Sequence, residues 1–85
     1  MNWRVSVDRA IVRRLRRIPE PDEGRLIQAI LDLGNGPEGA DIRPLEGREG
    51  YRLRVGGWRI LLDMNIQEQT ISLYSLGSRG DVYKH

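Results

Sequence analysis

The sequence predicts a small α+β domain in which two helices cover one face of an antiparallel sheet, with the elements in the order β-α-α-β-β-β. Three observations support this fold class. Apolar and polar residues alternate over 3–7 and again over 51–76, which is typical of strands with one buried face. Residues 9–31 carry apolar side chains at helical spacing. The 85 residues contain no cysteine, so we expect a single domain over 1–85 with a thin core and no disulfides.

The first strand and the first helix are predicted from the N-terminal segment. A strand is indicated where three apolar residues alternate with polar ones, at Trp3, Val5 and Val7. Asp8 then offers an N-cap for a helix over about 9–17, whose non-apolar positions are mostly arginine. Pro19 and Pro21 end this helix and form a short connector.

A second helix is predicted to begin at Asp22 and Glu23, whose negative charges suit a first turn, and to end at Gly34. Its apolar stripe consists of Leu26, Ile27, Ile30 and Leu31. Residues 35–50 are rich in Gly, Pro and acidic residues, and this composition predicts a surface connection. Two apolar residues are expected to anchor that connection, Ile42 and Leu45.

The rest of the sheet is predicted to be organised around a β-hairpin, YRLRVGGWRILL, whose turn is Gly56-Gly57. This turn fixes a register that puts six apolar side chains on one face, those of Tyr51, Leu53, Val55, Trp58, Ile60 and Leu62. Arg52, Arg54 and Arg59 lie on the other face, with Arg54 directly opposite Arg59. Like charges about 5 Å apart destabilise a strand pair. The face is therefore predicted to bind an anion, with RNA the simplest candidate and a solvated surface the alternative.

A further strand of the meander, QTISLYSLG, is predicted at 69–77 after a four-residue turn. With Met64 opposite Gln69, two apolar pairs extend the core face, Ile71 with Leu62 and Leu73 with Ile60. The same register places Tyr74 beside Arg59 on the charged face. The first strand of the chain is expected at an edge of the sheet or beside this last strand.

Charge is distributed in three blocks although the net charge is only +2. Residues 1–18 carry six arginines against one aspartate, 19–50 carry eight acids against three arginines, and 51–85 carry five bases against three acids. This favours two surfaces of opposite sign. No apolar run reaches the length of a membrane span and the N-terminus lacks the core of a signal peptide, so we expect a cytoplasmic protein without a membrane partner. No metal-ligand spacing, phosphate-binding glycine loop or nucleophile triad is present.

Two segments of the sequence carry a family resemblance, YRLRVGGWRILLD at 51–63 and SLGSRGDVY at 75–83. With the order of elements, they resemble the RelE/ParE superfamily of toxin-antitoxin toxins, and its RelE branch in particular. The resemblance covers nearly the whole chain. It implies a small endoribonuclease, without metal or other cofactor, that cuts messenger RNA in the ribosomal A site by attack of a ribose 2′-OH on the adjacent phosphate. The implied partners are the ribosome with its messenger and a cognate antitoxin, the latter in a hetero-oligomer.

The resemblance also implies roles for individual residues. The catalytic residues would be Arg59, Arg79 and Tyr83, two arginines that contact the scissile phosphate and a tyrosine that contacts the substrate nucleotide. The substrate-binding residues would be Arg52 and Arg54. Tyr74 joins them because the predicted register places it beside Arg59, where it would either stack on the substrate or cover the arginine stem. Guanidinium groups suit this chemistry because their planar forks stabilise the negative charge of a phosphorane-like transition state.

The sequence leaves the general base open. Arginine is a poor base because it stays protonated, and the only histidine is the last residue, His85. The remaining candidates are Glu46, Glu49, Asp63 and Asp81. Two other functions also stay open, a ParE-like toxin that inhibits DNA gyrase without cutting RNA and a plain RNA-binding module.

Overall fold

The computed structural model describes residues 2–78 and confirms the α+β fold class. Its elements are β1 (Arg4–Val7), α1 (Arg9–Leu15), α2 (Asp22–Asp32), a 3₁₀ turn (Leu33–Asn35), β2 (Ile42–Pro44), β3 (Tyr51–Val55), β4 (Trp58–Asn65) and β5 (Thr70–Ser78). The strands form one sheet in the order β1-β5-β4-β3-β2, and both helices pack on one of its faces. β2 is one strand more than the sequence predicts. Neither α1 nor α2 covers the other face of the sheet, which we call the open face.

β1 lies at the edge of the sheet beside β5, as predicted, but the two strands run parallel. The chain leaves β1 through both helices and enters the sheet again at the opposite edge, at β2. Parallel strands require such a long connection, whereas the hairpins that follow make the remaining pairs antiparallel. The sheet is therefore mixed rather than wholly antiparallel.

Both helices begin where the sequence predicts. The Oδ1 of Asp8 accepts a hydrogen bond from the N–H of Ala10 at 2.8 Å, which caps α1. α1 ends at Leu15 rather than at 17, because the N–H groups of Arg17 and Ile18 bond to carbonyls three residues back and tighten the chain into a turn. No helix within 2–78 is long and apolar enough to cross a membrane.

Only part of the predicted apolar stripe of α2 is buried. Leu26 is fully buried and Ile30 packs against the core, whereas Ile27 is 38% exposed and Leu31 is 65% exposed. Leu33 of the 3₁₀ turn, which the sequence did not assign to the stripe, is buried in the core. Ile27 and Leu31 therefore form an apolar surface on the outer side of α2.

The β3–β4 hairpin has the predicted register throughout, from Tyr51 opposite Leu62 to Val55 opposite Trp58. Its apolar face meets the helices in one core, formed by Ile11, Ile18, Leu26, Leu33, Leu53, Ile60, Leu62, Ile71, Leu73 and Leu76. At the edge of this core the Nε1 of Trp58 donates to the Oδ2 of Asp22 at 3.0 Å. The hairpin is thus tied directly to the first turn of α2.

The turn between β4 and β5 lies one residue later than predicted. The Oδ1 of Asn65 accepts a hydrogen bond from the N–H of Glu68 at 3.0 Å, and Gln69 takes a left-handed φ of 54°. The side chain of Asn65 thereby closes the turn while its backbone still belongs to β4. Met64 consequently pairs with Ile71 and not with Gln69.

A β-bulge in β5 shifts this register once more. The pairing skips Tyr74, because Leu61 pairs with Ser75 while the next residue of β4 pairs with Leu73. The predicted apolar pairs are therefore wrong: Leu62 faces Leu73 instead of Ile71, and Ile60 faces Leu76 instead of Leu73. The apolar residues of β5 still point into the core.

β2 is a short edge strand within the segment predicted as a surface connection. It pairs with β3, and Ile42 packs against the core as the predicted anchor. The N–H of Ile42 donates to the carbonyl of Ala40, and the strand ends at Pro44, which has no N–H. Leu45, the second predicted anchor, is half-buried and donates its N–H to the carbonyl of Gly50 at 3.0 Å.

Candidate nucleic-acid interface

Four arginines project from the open face of the sheet. Arg54 of β3 lies directly opposite Arg59 of β4, as predicted, and Arg43 of β2 lies directly opposite Arg52 of β3. All four alternate along their strands with residues that face the core. They lie on three neighbouring strands, so their Cα atoms are all within about 12 Å of one another. We call Arg43, Arg52, Arg54 and Arg59 the arginine face.

Asp41 neutralises the outer side of the arginine face. Its Oδ2 lies 3.1 Å from the Nε of Arg54, and its Oδ1 lies 3.7 Å from the Nε of Arg43. The side chains of these arginines are 58% and 70% exposed, so each ion pair contributes only about 0–1 kcal/mol. Within residues 2–78 neither Arg52 nor Arg59 has a carboxylate at ion-pairing distance. The uncompensated charge is therefore concentrated on Arg52 and Arg59.

The guanidinium group of Arg59 is held against the hairpin turn. Its Nη1 donates to the carbonyl of Trp58 at 3.1 Å and, more weakly, to that of Gly56 at 3.4 Å. Gly56 takes a φ of 60°, a left-handed conformation that glycine adopts without steric cost. Both hydrogen bonds use the same nitrogen, so no described residue between 2 and 78 takes the N–H groups of Nε and Nη2.

Leu61 is the one described residue of the open face of β4 that is fully buried, at 2% exposure. Its cross-strand neighbours are Arg52 and Ser75, both of them partly buried. The methylene stem of an arginine covers an apolar neighbour in this way while its guanidinium stays in water. Leu61 and Arg52 are therefore direct cross-strand neighbours on the open face.

Tyr74 does not lie beside Arg59, contrary to the prediction. Arg59 pairs with Gly77, three residues further along β5, which corresponds to about 10 Å along the strand. Tyr74 is the unpaired residue of the bulge and is 38% exposed. It lies next to Ser75, the partner of Leu61, at the margin of the arginine face.

Two of the predicted catalytic residues, Arg79 and Tyr83, lie outside the described residues, and so does the candidate base Asp81. The last described residue, Ser78, pairs with Trp58. β5 thus ends beside the hairpin turn that holds Arg59.

The three other candidate bases, Glu46, Glu49 and Asp63, line two grooves beside β2 and β3. Glu46 and Arg52 line one open groove of about 290 Å³. Glu49 and Asp63 line a neighbouring groove of about 450 Å³, and Asp63 belongs to the same face of β4 as Arg59. Among residues 2–78 no three His, Cys, Asp or Glu side chains are grouped so that they could hold a metal ion.

Sequence reasoning missed Arg43 and Asp41 because they lie in the segment predicted as a connection. The pattern that could have found them is short: both are charged and alternate with Ile42 and Pro44. A three-residue strand gives too little alternation to stand out in a segment rich in Gly and Pro. The structure therefore enlarges the predicted arginine set by one member and adds its counter-charge.

Comparison with solved structures identifies the fold. The RelE toxin structure in the archaeal RelE-RelB complex from Pyrococcus horikoshii OT3 is 28% identical and has a TM-score of 0.79. The match covers 95% of this chain and 99% of that one. The chain has the RelE toxin fold. The resemblance to the RelE branch that the hairpin and the C-terminal segment indicate is thereby confirmed.

More distant structures share the RelE fold at lower identity. The toxin-antitoxin complex RelBE2 from Mycobacterium tuberculosis matches with a TM-score of 0.75 and 20% identity, over 93% of this chain and 100% of that one. A mutant of the Escherichia coli toxin RelE in the free state matches with a TM-score of 0.66 and 14% identity, over 99% and 90% of the two chains. Neither a protein-family model nor a curated protein sequence matches this chain.

Proposed function

We propose that this protein is the toxin of a type II toxin-antitoxin system and acts in the cytoplasm as a ribosome-dependent endoribonuclease on messenger RNA. The RelE fold supports the toxin assignment. The observation that carries the nuclease assignment is the pair Arg54 and Arg59, fixed opposite each other on the face of the sheet that neither α1 nor α2 covers. Two guanidinium groups at this spacing bracket a phosphate, which neutralises the repulsion between them.

The chemistry needs no group other than RNA, side chains and water. The ribose 2′-oxygen forms a bond to phosphorus, and the proton of the 2′-OH leaves to a base. The bond from phosphorus to the 5′-oxygen breaks, and that oxygen takes a proton from water to leave as a hydroxyl. Arg59 stabilises the charge that gathers on the nonbridging oxygens, because its Nε and Nη2 donors are not used by any residue within 2–78. Arg52 binds the adjacent phosphate. Glu46, which shares a groove with Arg52, is the carboxylate to test first as the base.

The proposed antitoxin binds on the other side of the sheet. An apolar groove of about 350 Å³ runs between β1 and α2, lined by Trp3, Val5, Val7, Ile30, Leu31 and Gly34. Exposed Ile27 adjoins it on α2. RelE is found in complex with RelB in the related structures. A peptide segment of a cognate antitoxin with apolar residues at regular spacing would fill such a groove and leave the arginine face to be covered by its acidic residues.

The proposed function is tested by mapping transcript ends after induced expression. We expect new 5′ ends inside translated reading frames, and none in the same transcript once its start codon is removed, because cleavage depends on the ribosome. Growth arrest with intact transcripts and a DNA-damage response would contradict the nuclease and point to gyrase. Cleavage that is equal in translated and untranslated transcripts would contradict the ribosome dependence alone.

Asp41→Asn is expected to strengthen RNA binding. The change frees Arg54 and Arg43 from their counter-charge, so a single-stranded RNA oligonucleotide should bind several-fold more tightly at low salt. The slope of log K against log salt should steepen by about 0.7 for each arginine that gains a phosphate. Fluorescence anisotropy over a salt series measures both quantities. Glu38→Gln makes the same charge change without an ion pair, and an equal effect of that control would show that only net charge matters.

A further inference from the structure

A second basic surface lies on the opposite side of the protein from the arginine face. Residues 9–17 contain five arginines and no acidic residue, and all five are exposed. α1 buries Ile11 against the sheet, so the remaining sides of the helix point away from it. We call Arg9, Arg13, Arg16 and Arg17 the α1 basic face. The proposed cleavage site does not use it.

The charges of the α1 basic face are close together and uncompensated. Arg9, Arg13 and Arg17 follow one another at intervals of four residues, which places neighbouring Cβ atoms about 5–6 Å apart where the chain is helical. Like charges at this spacing destabilise a helix. In the part of the chain that the structure covers, no carboxylate lies at ion-pairing distance from these three residues or from Arg16. A polyanion would remove the repulsion.

Arg14 lies at the edge of the α1 basic face and contacts the hairpin. Its guanidinium carbon lies 5.9 Å from the centre of the Trp58 ring, and with Ala10, Arg13 and Arg17 it lines a shallow depression of about 200 Å³. Trp58 is itself bonded to Asp22. The basic surface is therefore attached to the same hairpin that carries Arg59, so an anion bound to one side is held in a fixed orientation relative to the other.

We infer that the α1 basic face binds the phosphate backbone of double-helical RNA, an inference that rests on the proposed function in taking RNA as the polyanion. Single-stranded RNA is bound through aromatic side chains that stack on bases, and α1 has no aromatic residue. Double-helical RNA is instead recognised by its shape and phosphates, for which arginine forks suffice. A membrane surface would need a stripe of exposed apolar residues along the helix. Of the large apolar residues of α1, Val12 alone is exposed, at 40%, whereas Ile11 is buried and Leu15 packs on the core.

The arrangement gives the two basic surfaces different tasks. The arginine face takes a flexible strand whose sugar and phosphate must reach reactive geometry. The α1 basic face holds a rigid duplex, of the kind that ribosomal RNA provides, on the far side of the sheet. Binding to the duplex would orient the protein before the messenger is engaged.

The test compares two double variants of the full chain with equal charge. Arg13→Gln/Arg17→Gln removes two charges from the α1 basic face, and Arg4→Gln/Arg25→Gln removes two exposed charges elsewhere. Each is titrated with a blunt 12-base-pair RNA duplex and a 12-nucleotide single strand. We expect the first variant to bind the duplex at least fivefold more weakly. The slope of log K against log salt should become smaller by about 1.5, and the circular dichroism spectrum should stay unchanged. The second variant should change duplex binding by less than twofold.

Three results would overturn the inference. The first is equal loss of duplex affinity in both variants, which would mean that net charge alone steers binding. The second is a loss of single-strand affinity as large as the loss of duplex affinity. The third is that Arg13→Gln/Arg17→Gln weakens the binding of poly-glutamate more than it weakens the binding of the RNA duplex. This result would identify an acidic protein as the partner. Failure of the proposed function has a separate readout, because duplex binding would then persist in a protein that cuts no transcript.

Discussion

Arg59→Ala is expected to lower the rate of messenger cleavage by a few hundredfold, about 3–4 kcal/mol of transition-state stabilisation. The guanidinium group is preorganised, since the carbonyls of Trp58 and Gly56 hold its Nη1. No carboxylate within 2–78 competes for its other donors. Cleavage of a programmed ribosome under single-turnover conditions measures the rate, and the frequency of transcript ends after expression provides the cellular readout.

Two variants make the Arg59 experiment decisive. Arg59→Lys keeps the charge but loses the planar fork, so its rate should fall between those of the wild-type protein and Arg59→Ala. Arg25→Ala removes an exposed arginine from α2 and should leave the rate unchanged. If Arg59→Ala retained the wild-type rate while its thermal unfolding was also unchanged, the proposed role of this arginine would be wrong.

Leu62→Ala is expected to lower the free energy of unfolding by about 2–5 kcal/mol. Leu62 is fully buried in β4, where it lies between Tyr51 of β3 and Leu73 of β5 beneath the helices. A domain of this length has a total stability of roughly 4–13 kcal/mol, so the variant would lose a large share of it. Urea denaturation followed by circular dichroism measures the change.

Leu31→Ala provides the matched control for this stability experiment. Leu31 is 65% exposed on α2, and alanine is the better helix former, so the expected change is within about 0.5 kcal/mol. A loss of similar size in both variants would mean that Leu31 is buried in solution, for instance in an oligomer. A small effect of Leu62→Ala would mean that the core is not packed as described.

The hairpin could be predicted from the sequence because one local feature determines all of it. Two glycines make a two-residue turn, and the turn fixes every pair from Tyr51 to Trp58. The opposition of Arg54 and Arg59, which is the centre of the candidate site, follows from the same register. This part of the site therefore needed no information about distant residues.

The position of Tyr74 could not be predicted in the same way. It depends on the Asn65 side chain that closes the turn and on a bulge that inserts one unpaired residue into β5. A bulge does not disturb the alternation of apolar residues enough to be recognised, because Leu73 and Leu76 both still reach the core. Asp41 and Arg43 were missed for a different reason, since their strand exists only through pairing with β3.

The composition of β2 determines where the sheet can grow. Two residues of β2, Ile42 and Pro44, direct their backbone groups away from β3. The N–H of Ile42 already donates to the carbonyl of Ala40, and Pro44 has no N–H. That border therefore cannot recruit another extended peptide, which protects the neighbouring cationic surface from self-association. β1 forms the opposite border and borders the apolar groove as well. A foreign strand that adds to this protein would have to dock there, far from the proposed cleavage site.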